Sequence, residues 1–549
     1  MIKMLDVNKI IGHVNGESLD KITFVANQKN KQGIMQRITL GEMYVAIDPY
    51  TNERFLLRVS NVKYGQNAAF RTESARAYNQ AIAANFQGEH LNFDKIYQDN
   101  RPGQRFIEAE CEYVGYIDLD GRFGPPKHLP SDDSPVRKLD ESDLDFMKNF
   151  LGDVPFGKLR SGSKVLNIPV GLFVELIPYH MGVFAKTGGG KSNFVQRLLA
   201  GFLDLPGRAG ILLLEPHGEY KQNLIAHPNS KGNLEVFEMK EGAPRRLRIS
   251  YSDLTVTDLM NIKKQVNWTE PQERFMRDAE EKLGKDWFRF LVETPVKWDD
   301  ATSPDGLISP GVTTVLKEHF PGTFEDTMQV TKSKLSRIKN APFLTRDPNV
   351  SDIREILTML DNGKIVLIDL VGLESAQELL VSTILASKAL KRRKQIYNKD
   401  KATCESLPPI GILLEEAQRV LNRDANHDGN TFANICNEGR KFRVGLIPVT
   451  QQPKNIDANL MSQISTLFIL LITDENDFEA LKKVSAKPID KLRQEIKGLQ
   501  PGEAIISSPK SPFALPVKVD LYDDYIRELK KKNISSNKNT KKPSFGLMM

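Results

Sequence analysis

The spacing of apolar residues along the chain changes character between residues 120 and 166. The first part holds short runs of β-branched and aromatic residues, separated by glycine-containing segments. These runs lie at 22–26, 43–47, 55–59 and 113–117. Evenly spaced short strands predict a small β-barrel over residues 1–120, and an alanine-rich stretch at 72–85 predicts a helix inserted between two strands. Catalytic side chains do not cluster along these strands, so we expect this region to serve packing or assembly.

Beyond residue 166 the apolar runs are continuous instead of short and scattered. They lie at 209–214, 364–370, 410–414, 444–450 and 467–472. Continuous runs of this length are typical of strands in a parallel sheet whose two faces are covered by helices. The sequence therefore predicts an α/β core built from residues 166–240 and 356–510.

Three further segments complete the predicted organisation. Clusters of proline, glycine and serine predict a linker at 121–165. Charged segments with helical periodicity, which also hold all three tryptophans, predict a helical insertion at 241–355. We expect residues 511–549 to form a C-terminal tail, with a strand at 513–519 and a disordered end after Lys530, where lysine, asparagine and serine dominate.

Composition narrows the class of protein only slightly. Of the 549 residues, 40% are hydrophobic and 27% are charged, as in ordinary soluble proteins. No apolar run reaches the roughly 18 residues of a membrane span, and residues 1–6 lack a signal-peptide core, so we expect a cytoplasmic protein without a membrane partner. The three cysteines are far apart, which argues against a disulfide framework or a zinc site. The net charge of +6 permits a nucleic-acid partner without indicating one.

A candidate phosphate-binding loop lies at 183–193, between a predicted strand and a predicted helix. Its end, Gly190-Lys191-Ser192, matches the pattern Gly-x₄-Gly-Lys-Ser/Thr, with Ala185 in place of the first glycine. In such loops backbone N–H groups bind phosphate oxygens, the lysine reaches the β- and γ-phosphates of ATP, and the hydroxyl holds Mg²⁺. The alternative is a flexible glycine turn. The residues expected to bind nucleotide are Thr187, Gly188, Gly189, Gly190, Lys191, Ser192 and Asn193.

Acidic residues end two of the predicted core strands. Glu215 follows the run 209–214, and Glu415 and Glu416 follow the run 410–414. Because the carboxyl ends of parallel strands border the ligand crevice, we expect Glu415 to hold the Mg²⁺ shell and Glu416 to polarise the attacking water. Glu215 is a further candidate for Mg²⁺ or water; the alternative is a solvated acid in a strand-end turn. The predicted metal ligands are therefore Ser192, Glu415 and Glu215.

Two later segments add candidate contacts. Gln451 follows the run 444–450, where a polar residue can sense the γ-phosphate. A helix predicted at about 376–397 has five cations in its last part. They are Lys388, Lys391, Arg392, Arg393 and Lys394. These charges can contact DNA phosphates, or they can complement the dipole of their own helix.

The order of these motifs resembles the HerA-like ATPases of the HerA/FtsK superfamily. The matching residues are His180, the loop 187–193, Glu215-Pro216-His217-Gly218-Glu219-Tyr220, Glu415-Glu416-Ala417-Gln418, Glu438-Gly439-Arg440-Lys441 and Thr450-Gln451-Gln452-Pro453. They cover about 170–510, and the predicted barrel is a weaker match to that family's N-terminal barrel. The resemblance implies a RecA-like core, a hexameric ring, hydrolysis of ATP with Mg²⁺, and translocation on duplex DNA without sequence preference, often with a partner nuclease.

The resemblance also implies a catalytic role for Arg440, beside Lys191, Glu416 and Gln451. It suggests that Arg440 points across a subunit boundary as an arginine finger. The guanidinium is always charged and presents a fork of donors that matches phosphate oxygens. The alternatives are a local pair with Glu438 and a cap on its own helix, and Arg443 is the nearest substitute.

The chain departs from the family pattern at four positions. Family members usually have aspartate where Glu215 and Glu415 stand and glycine where Ala185 stands, and many have arginine where this chain has Tyr179. Longer acids and one fewer arginine lead us to expect slow hydrolysis.

Two hypotheses of different classes follow from the sequence. The first is a ring-shaped, DNA-translocating ATPase that acts with a partner nuclease or effector in DNA processing or defence. The second is an ATP-responsive oligomeric scaffold that organises a defence effector without processive translocation. A conjugation-type DNA pump is a weaker third, because membrane segments are not predicted.

Overall fold

A computed structural model describes residues 9–27, 37–66, 105–294, 313–422 and 430–539. The chain divides into two compact units. The first unit combines Met1–Leu151, Gly157–Val170 and Lys487–Val519, and the second combines Gly152–Phe156, Gly171–Ala486 and Asp520–Met549. The helix predicted at 72–85 and the residue Trp298 lie outside the described residues.

The strands and helices are numbered in chain order. The strands are β1 (Ile10–Ser18), β2 (Lys21–Asn27), β3 (Met43–Ile47), β4 (Arg54–Gln66), β5 (Arg105–Ile117), β6 (Phe123–Gly124), β7 (Pro135–Lys138), β8 (Val154–Ser161), β9 (Lys164–Leu172), β10 (Met181–Phe184), β11 (Gly210–Glu215), β12 (Leu234–Phe237), β13 (Ile249–Ser250), β14 (Leu344–Thr345), β15 (Ile365–Asp369), β16 (Ile410–Leu414), β17 (Val444–Thr450), β18 (Thr466–Ile469), β19 (Glu503–Ser507) and β20 (Leu515–Val519). The α-helices are α1 (Lys191–Asp204), α2 (Lys221–Ile225), α3 (Val256–Met260), α4 (Lys263–Val266), α5 (Glu270–Leu283), α6 (Trp287–Glu293), α7 (Thr313–His319), α8 (Glu325–Ile338), α9 (Ile353–Asp361), α10 (Ser375–Lys399), α11 (Lys401–Ser406), α12 (Thr431–Glu438), α13 (Ala458–Ser462), α14 (Glu475–Val484), α15 (Arg493–Lys497) and α16 (Tyr522–Asn539).

Six antiparallel strands of the first unit close into a barrel. They pair in the order β2-β1-β7-β3-β4-β5, and β5 pairs back onto β2. Closure leaves the ring without an unpaired edge, and Phe24, Tyr44, Phe55 and Tyr113 pack in its core. The predicted N-terminal β-barrel is thereby confirmed.

The strand β7 lies within the range 121–165 that the sequence predicted as a linker. It occupies the place between β1 and β3, so the barrel needs it to close. The strand is only four residues long and begins with Pro135, next to the polar turn 131–134. Proline is tolerated at the first residue of a strand, so the cluster that suggested a linker marks a turn.

A buried ion triad joins two parts of the first unit. Arg58 of β4 and Arg160 of β8 donate to the two carboxylate oxygens of Glu495, at 2.5 Å and 2.6 Å. Arg58 also donates to the backbone oxygen of Ala514 at 3.0 Å. All three side chains are at most 6% exposed. The same unit contains the antiparallel strand pairs β19–β20 and β20–β8.

The second unit contains a parallel sheet of seven strands. Their order is β12-β15-β11-β16-β17-β10-β18. Most residues of these strands are buried, as expected for a sheet covered on both faces. The strand before the phosphate loop, β10, is separated by β17 from β16, the strand before Glu415. The predicted α/β class with a RecA-like core is confirmed, and its carboxyl edge gathers the ends of β10, β16 and β17.

Helices α3–α8 and the start of α9 lie in the range 241–355, with the short strands β13 and β14 paired in parallel. Trp287 is fully buried there, and its indole N–H donates to the backbone oxygen of Leu254 at 3.0 Å. The final helix, α16, runs past Lys530 to Asn539, where we expected disorder. Lysine is a good helix former, and the helix is anchored at its start by Tyr522, whose hydroxyl donates to Asn223. Among the described ranges, none of the helices combines the length and apolar composition required to cross a membrane.

Candidate nucleotide-binding site

The phosphate loop connects the buried strand β10 to the helix α1. Gly188 and Gly190 adopt φ values of +78° and +87°, a backbone region that glycine enters without strain. Gly190 caps α1 directly before Lys191, so the amide groups at the helix start face the loop and favour an anion. Ala185 is buried, and its N–H donates to Thr450 at 3.2 Å. The backbone N–H groups of the loop can therefore bind a chain of phosphates. Ala185, which follows the last residue of β10, is held against β17 by its hydrogen bond to Thr450.

Lys191 faces the two acids that end β16. Its Nζ lies 2.6 Å from Glu415 Oε2 and 3.8 Å from Glu416 Oε1. The Glu415 side chain is only 3% exposed, and its other oxygen accepts a hydrogen bond from the hydroxyl of Tyr220. The structure thus brings the phosphate loop and the acid pair together, although they are separated by more than 220 residues in the chain.

Glu416 occupies a strained backbone position. Its φ and ψ are 50° and 43°, the left-handed region that non-glycine residues rarely adopt. The Gln418 amide donates to Glu416 Oε2 at 2.6 Å, and Thr450 in turn donates to Gln418 Oε1 at 2.6 Å. Gln451 Nε2 lies 3.5 Å from Glu416 Oε1. This chain of contacts fixes the direction of the Glu416 carboxylate.

Gln451 connects the acid pair to the phosphate loop. Its Oε1 accepts a hydrogen bond from the Thr187 hydroxyl, while its amide nitrogen faces Glu416. The residue follows β17, which lies between β10 and β16 in the sheet. A side chain in this place touches both halves of the site.

Glu215 is enclosed at the end of β11. The residue has no exposed surface, and its Oε1 accepts the backbone N–H of Tyr220. Burial raises the pKa of Glu215 to about 7, against the lowering effect of that hydrogen bond. In the described part of the chain, Oε2 has no hydrogen-bond partner. Glu215 shapes the turn 216–220, and its predicted role at the metal stays a prediction.

Glu219 is a site residue that the sequence prediction missed. Its carboxylate accepts a hydrogen bond from the Ser192 hydroxyl, the group expected to hold Mg²⁺. Gln196 of α1 donates to the backbone oxygen of Glu219 at 3.0 Å, which ties the turn to the helix. Tyr220, missed as well, holds Glu415. Both residues lie in the turn that follows a buried strand, so their place at the carboxyl edge was the available signal.

The side chain of Asn193 contacts the segment that leads into α16. Its Nδ2 donates to the backbone oxygen of Asp520 at 3.2 Å, and its Oδ1 accepts the N–H of Tyr522 at 2.8 Å. Arg197, one turn later, lies 3.2 Å from Asp520 and stacks on Tyr525. Asn193 thus anchors the C-terminal segment to α1, and its predicted contact with nucleotide stays a prediction.

Arg440 contacts Tyr179, not Glu438. Its Nη2 donates to the Tyr179 hydroxyl at 3.1 Å, and its guanidinium carbon lies 4.0 Å from the centre of the ring. Glu438 pairs with Lys394 instead. Arg443, the substitute considered from the sequence, donates to the backbone oxygen of Leu407 at 3.0 Å.

Three of the five cations near the end of α10 are paired within the protein. Arg392 and Arg393 lie 2.6 Å and 2.9 Å from the carboxylate of Asp361, and Lys394 pairs with Glu438. Arg393 has no exposed side-chain surface. Burial removes Arg393 as a candidate for contact with DNA phosphates, whereas Arg392 and Lys394 are paired but still 32% and 34% exposed.

The donor set suits a hard cation held partly through water. Within the described ranges, no group of three histidine, cysteine, aspartate or glutamate side chains is arranged to enclose a metal ion. Mg²⁺ keeps several water ligands and takes only one or two protein ligands at phosphate sites. Ser192 with a single carboxylate satisfies that requirement.

The chain is similar to several proteins described as helicases. Residues 154–389 match a family model described as "Helicase HerA, central domain". The chain is 27% identical over 519 residues to the "DNA double-strand break repair helicase HerA" of Sulfolobus acidocaldarius, covering 93% of each chain. It is also 27% identical over 538 residues to a probable helicase of Methanocaldococcus jannaschii, covering 94% of this chain and 92% of that protein. Among solved structures, VirB4 of Thermoanaerobacter pseudethanolicus aligns with a TM-score of 0.44 and 15% identity, over 67% of this chain and 96% of that chain.

Proposed function

We propose that the chain, which is similar to HerA helicases, is an ATP-hydrolysing motor that assembles as a ring, expected to be a hexamer, and moves along duplex DNA. One observation carries the proposal. Lys191 of the phosphate loop, the acids Glu415 and Glu416, and Gln451 meet at the carboxyl edge of one parallel sheet. This set of groups is what transfer of a phosphoryl group to water requires: a cation, a metal-holding acid, a base and a sensor.

The phosphate loop would bind the substrate. Backbone N–H groups of 187–192 and the start of α1 favour phosphate oxygens, and Lys191 supplies a cation for the β- and γ-phosphates. Because Lys191 is paired with Glu415, phosphate oxygens would replace Glu415 as the anionic partner of Lys191, and the buried Glu415 carboxylate would then need a metal ion as its counter-charge. Ser192 and Glu415 would hold Mg²⁺, with Glu215 as a further candidate. Mg²⁺ bound there would supply positive charge to offset the charge that develops on the phosphate oxygens.

Glu416 is proposed as the group that orients and deprotonates the attacking water. The carboxylate is held by Gln418 and faced by Gln451, so it has a fixed direction before substrate binds. A base held in place in this way contributes about 10²–10⁴-fold to a rate. Gln451 contacts both Thr187 of the phosphate loop and Glu416. A γ-phosphate bound in the loop could therefore change the position of Glu416 through Gln451.

Arg440 is proposed as an arginine finger that completes the site of a neighbouring subunit. The residue is exposed, its guanidinium is stacked on a neutral ring, and none of the described residues pairs a carboxylate with it. An arginine that keeps its charge and its fork of donors can bind phosphate oxygens from another molecule. A ring of identical subunits places one such residue at every interface.

A second candidate function is the ATP-responsive scaffold without processive translocation. One observation favours it: three of the five cations considered for DNA contact are paired inside the protein. Either function would be joined to a partner nuclease or effector, which the resemblance to the HerA-like ATPases implies.

Measurements of ATP hydrolysis with and without DNA, and of strand displacement, distinguish the DNA-translocating motor from the scaffold. We expect the wild-type protein to hydrolyse ATP faster with duplex DNA of any sequence, and to displace a third strand from a triplex. Lys191→Ala should abolish both activities. The matched control is Lys231→Ala, which removes an exposed lysine outside the site. Hydrolysis without DNA stimulation or displacement would favour the scaffold, and normal turnover by Lys191→Ala would contradict both functions.

A further inference from the structure

We propose that Tyr179 is a positioning residue that holds the guanidinium of Arg440 in its working direction. The inference rests on the proposed function, in which Arg440 assists hydrolysis in the neighbouring subunit. Tyr179 ends the 3₁₀ helix Val174–Tyr179, just before the strand that leads to the phosphate loop. Arg440 lies in the 3₁₀ helix Gly439–Phe442, which connects α12 to β17.

The contact has two parts that constrain different motions. The face of the guanidinium lies on the Tyr179 ring, 4.0 Å from its centre, and Nη2 donates to the phenol oxygen at 3.1 Å. The stack fixes the plane of the guanidinium, and the hydrogen bond fixes its rotation within that plane. Both side chains are exposed, so their direction depends on this contact more than on surrounding packing.

The backbone beneath Tyr179 is held rigidly. The neighbouring residue, His180, is buried, and its Nδ1 accepts the N–H of Leu446 at 2.9 Å. Its Nε2 lies 3.0 Å from the backbone oxygen of Cys436 and donates to it, since Nδ1 is the acceptor. Gly445 lets β17 lie close to the 3₁₀ helix that ends in Tyr179, because a Cβ at this position would be 1.8 Å from the backbone oxygen of Ile177. Tyr179 therefore has a fixed base.

The backbone of Arg440 is fixed by the same set of contacts. Cys436, which accepts the His180 hydrogen bond, lies in α12 one turn before the 3₁₀ helix that holds Arg440. A Cβ on Gly439 would lie 2.3 Å from the backbone oxygen of Val444, so the turn closes tightly on β17. With both backbones pinned, the Tyr179 contact sets where the end of the Arg440 side chain points.

The chemistry of the partner matters as much as its position. A carboxylate beside Arg440 would neutralise its charge and compete with phosphate for the same N–H donors. A tyrosine ring orients the cation and leaves the charge in place. The acid closest in sequence, Glu438, is bound to Lys394. Tyr179 thus keeps Arg440 ordered and available for an anion from another subunit.

The first experiment compares substitutions that remove the ring with one that keeps it. Tyr179→Ala and Tyr179→Leu both remove the aromatic face, and the leucine variant retains much of the volume. We expect the turnover number of either to fall roughly 10- to 100-fold, because a displacement of about 1 Å costs that much, with KM for ATP unchanged. Tyr179→Phe, which keeps the stack, should retain most of the turnover. Phe324→Ala removes another exposed aromatic residue and serves as the control.

The second experiment asks which half of the shared site Tyr179 serves. Rings mixed from Tyr179→Ala and Glu416→Gln subunits should recover activity, since some interfaces then combine an intact base with an intact Arg440. Rings mixed from Tyr179→Ala and Arg440→Ala subunits should recover none beyond the activity of the Tyr179→Ala ring, because both changes damage the same half. The double variant should be no slower than Arg440→Ala alone.

The outcomes separate this inference from the function on which it rests. Wild-type turnover by both Tyr179→Ala and Tyr179→Leu, in folded rings where Arg440→Ala is inactive, would overturn the role of Tyr179 and leave the arginine finger standing. Recovery of wild-type turnover in the Tyr179→Ala and Arg440→Ala mixture would also overturn it. Full activity of the pure Arg440→Ala ring would refute the finger itself, and with it any role for Tyr179.

Discussion

The carboxylate of Glu415 bridges Lys191 and Tyr220. One oxygen lies 2.6 Å from Lys191 Nζ, and the other accepts the phenol hydroxyl of Tyr220. The bridge joins the phosphate loop to the turn that follows β11, and it uses the full length of the glutamate side chain. Aspartate is commoner than glutamate at this position in the family that the chain resembles. The double contact explains why this chain has the longer acid.

The first prediction is that Glu415→Asp slows hydrolysis, although it restores the commoner residue. The shorter side chain cannot contact Tyr220 and also reach Lys191, or the Mg²⁺ that would take the place of Lys191 when ATP binds. We therefore expect turnover to fall about tenfold, the effect of roughly 1.4 kcal/mol. Steady-state ATPase rates at saturating Mg²⁺ test this. Tyr220→Phe, which removes only the hydroxyl, should cause part of the same loss. An aspartate variant as fast as the wild type would show that the bridge has no functional role.

A second prediction concerns the group that holds the proposed base. Gln418→Ala removes the amide that donates to Glu416 at 2.6 Å, so the carboxylate should lose its direction while the phosphate loop is untouched. We expect turnover to fall several-fold with ATP affinity unchanged. Glu416→Gln should lose about 10²–10⁴-fold in turnover and still bind ATP. Titration with a fluorescent ATP analogue, beside the rate measurement, separates binding from catalysis, and a Gln418→Ala protein with weaker binding but normal turnover would contradict this assignment.

A large part of this site was predictable from sequence because its motifs are local. Gly190-Lys191-Ser192 follows a strand, and Glu415-Glu416 ends another, so both were placed at the carboxyl edge of the sheet. The contacts between them were not predictable. Glu415 meets Tyr220 across 195 positions and Arg440 meets Tyr179 across 261, and such pairs depend on the order of strands in the sheet. That order, with β17 between β10 and β16, has no periodic pattern in the sequence to reveal it.

The barrel illustrates the same limit. The sequence predicts four of its aromatic and β-branched strands, but it predicts a linker in place of β7, which is short and begins with Pro135. Its role depends on pairing with β1 and β3, which lie far from it in the chain. Local composition therefore predicts the turn before β7 but does not predict the strand itself.

The third prediction is a pH dependence of stability caused by Glu215. Burial raises its pKa to about 7 from an ordinary value of 4.5, so the folded state binds a proton that the unfolded state releases. The contribution to stability is complete below about pH 4.5 and is lost as the pH rises through 7. Glu215→Gln should remove this loss, worth up to about 3 kcal/mol. Thermal unfolding from pH 5 to 8.5 tests it, with the exposed Glu241→Gln as control; parallel curves for wild type and Glu215→Gln would rule it out.

The fourth prediction is that the triad around Glu495 stabilises the first unit. Glu495→Ala would remove the carboxylate that pairs with both Arg58 and Arg160, and breaking a buried pair in this way costs about 3–5 kcal/mol. Asp120→Asn removes one partner of the exposed pair with Arg122 and should change little. Calorimetry of both variants gives the comparison. Equal melting temperatures for Glu495→Ala and the control would mean that solvent reaches the two arginines.

The fifth prediction is that the hydrolysis site is shared between subunits. Glu416 belongs to the subunit that binds ATP and Arg440 to its neighbour, so pure Glu416→Gln rings and pure Arg440→Ala rings should both be inactive; losing an arginine finger costs about 10³-fold or more. Rings mixed from the two variants contain some interfaces with both groups intact, and activity should partly return. Arg443→Ala should keep its activity, because Arg443 is held by Leu407 in its own subunit.

Mixing has to be demonstrated before the result is interpreted. Subunits carrying different affinity tags, purified sequentially, yield only rings that contain both variants. If such rings remain as inactive as the pure ones, one explanation is ruled out: Arg440 acting across the boundary at sites that hydrolyse ATP independently of one another. Adding an excess of wild-type subunits then shows whether the sites of one ring depend on each other. In a strictly coupled ring a single defective interface abolishes the activity of the whole ring. Independent sites instead lose activity in proportion to the fraction of variant subunits.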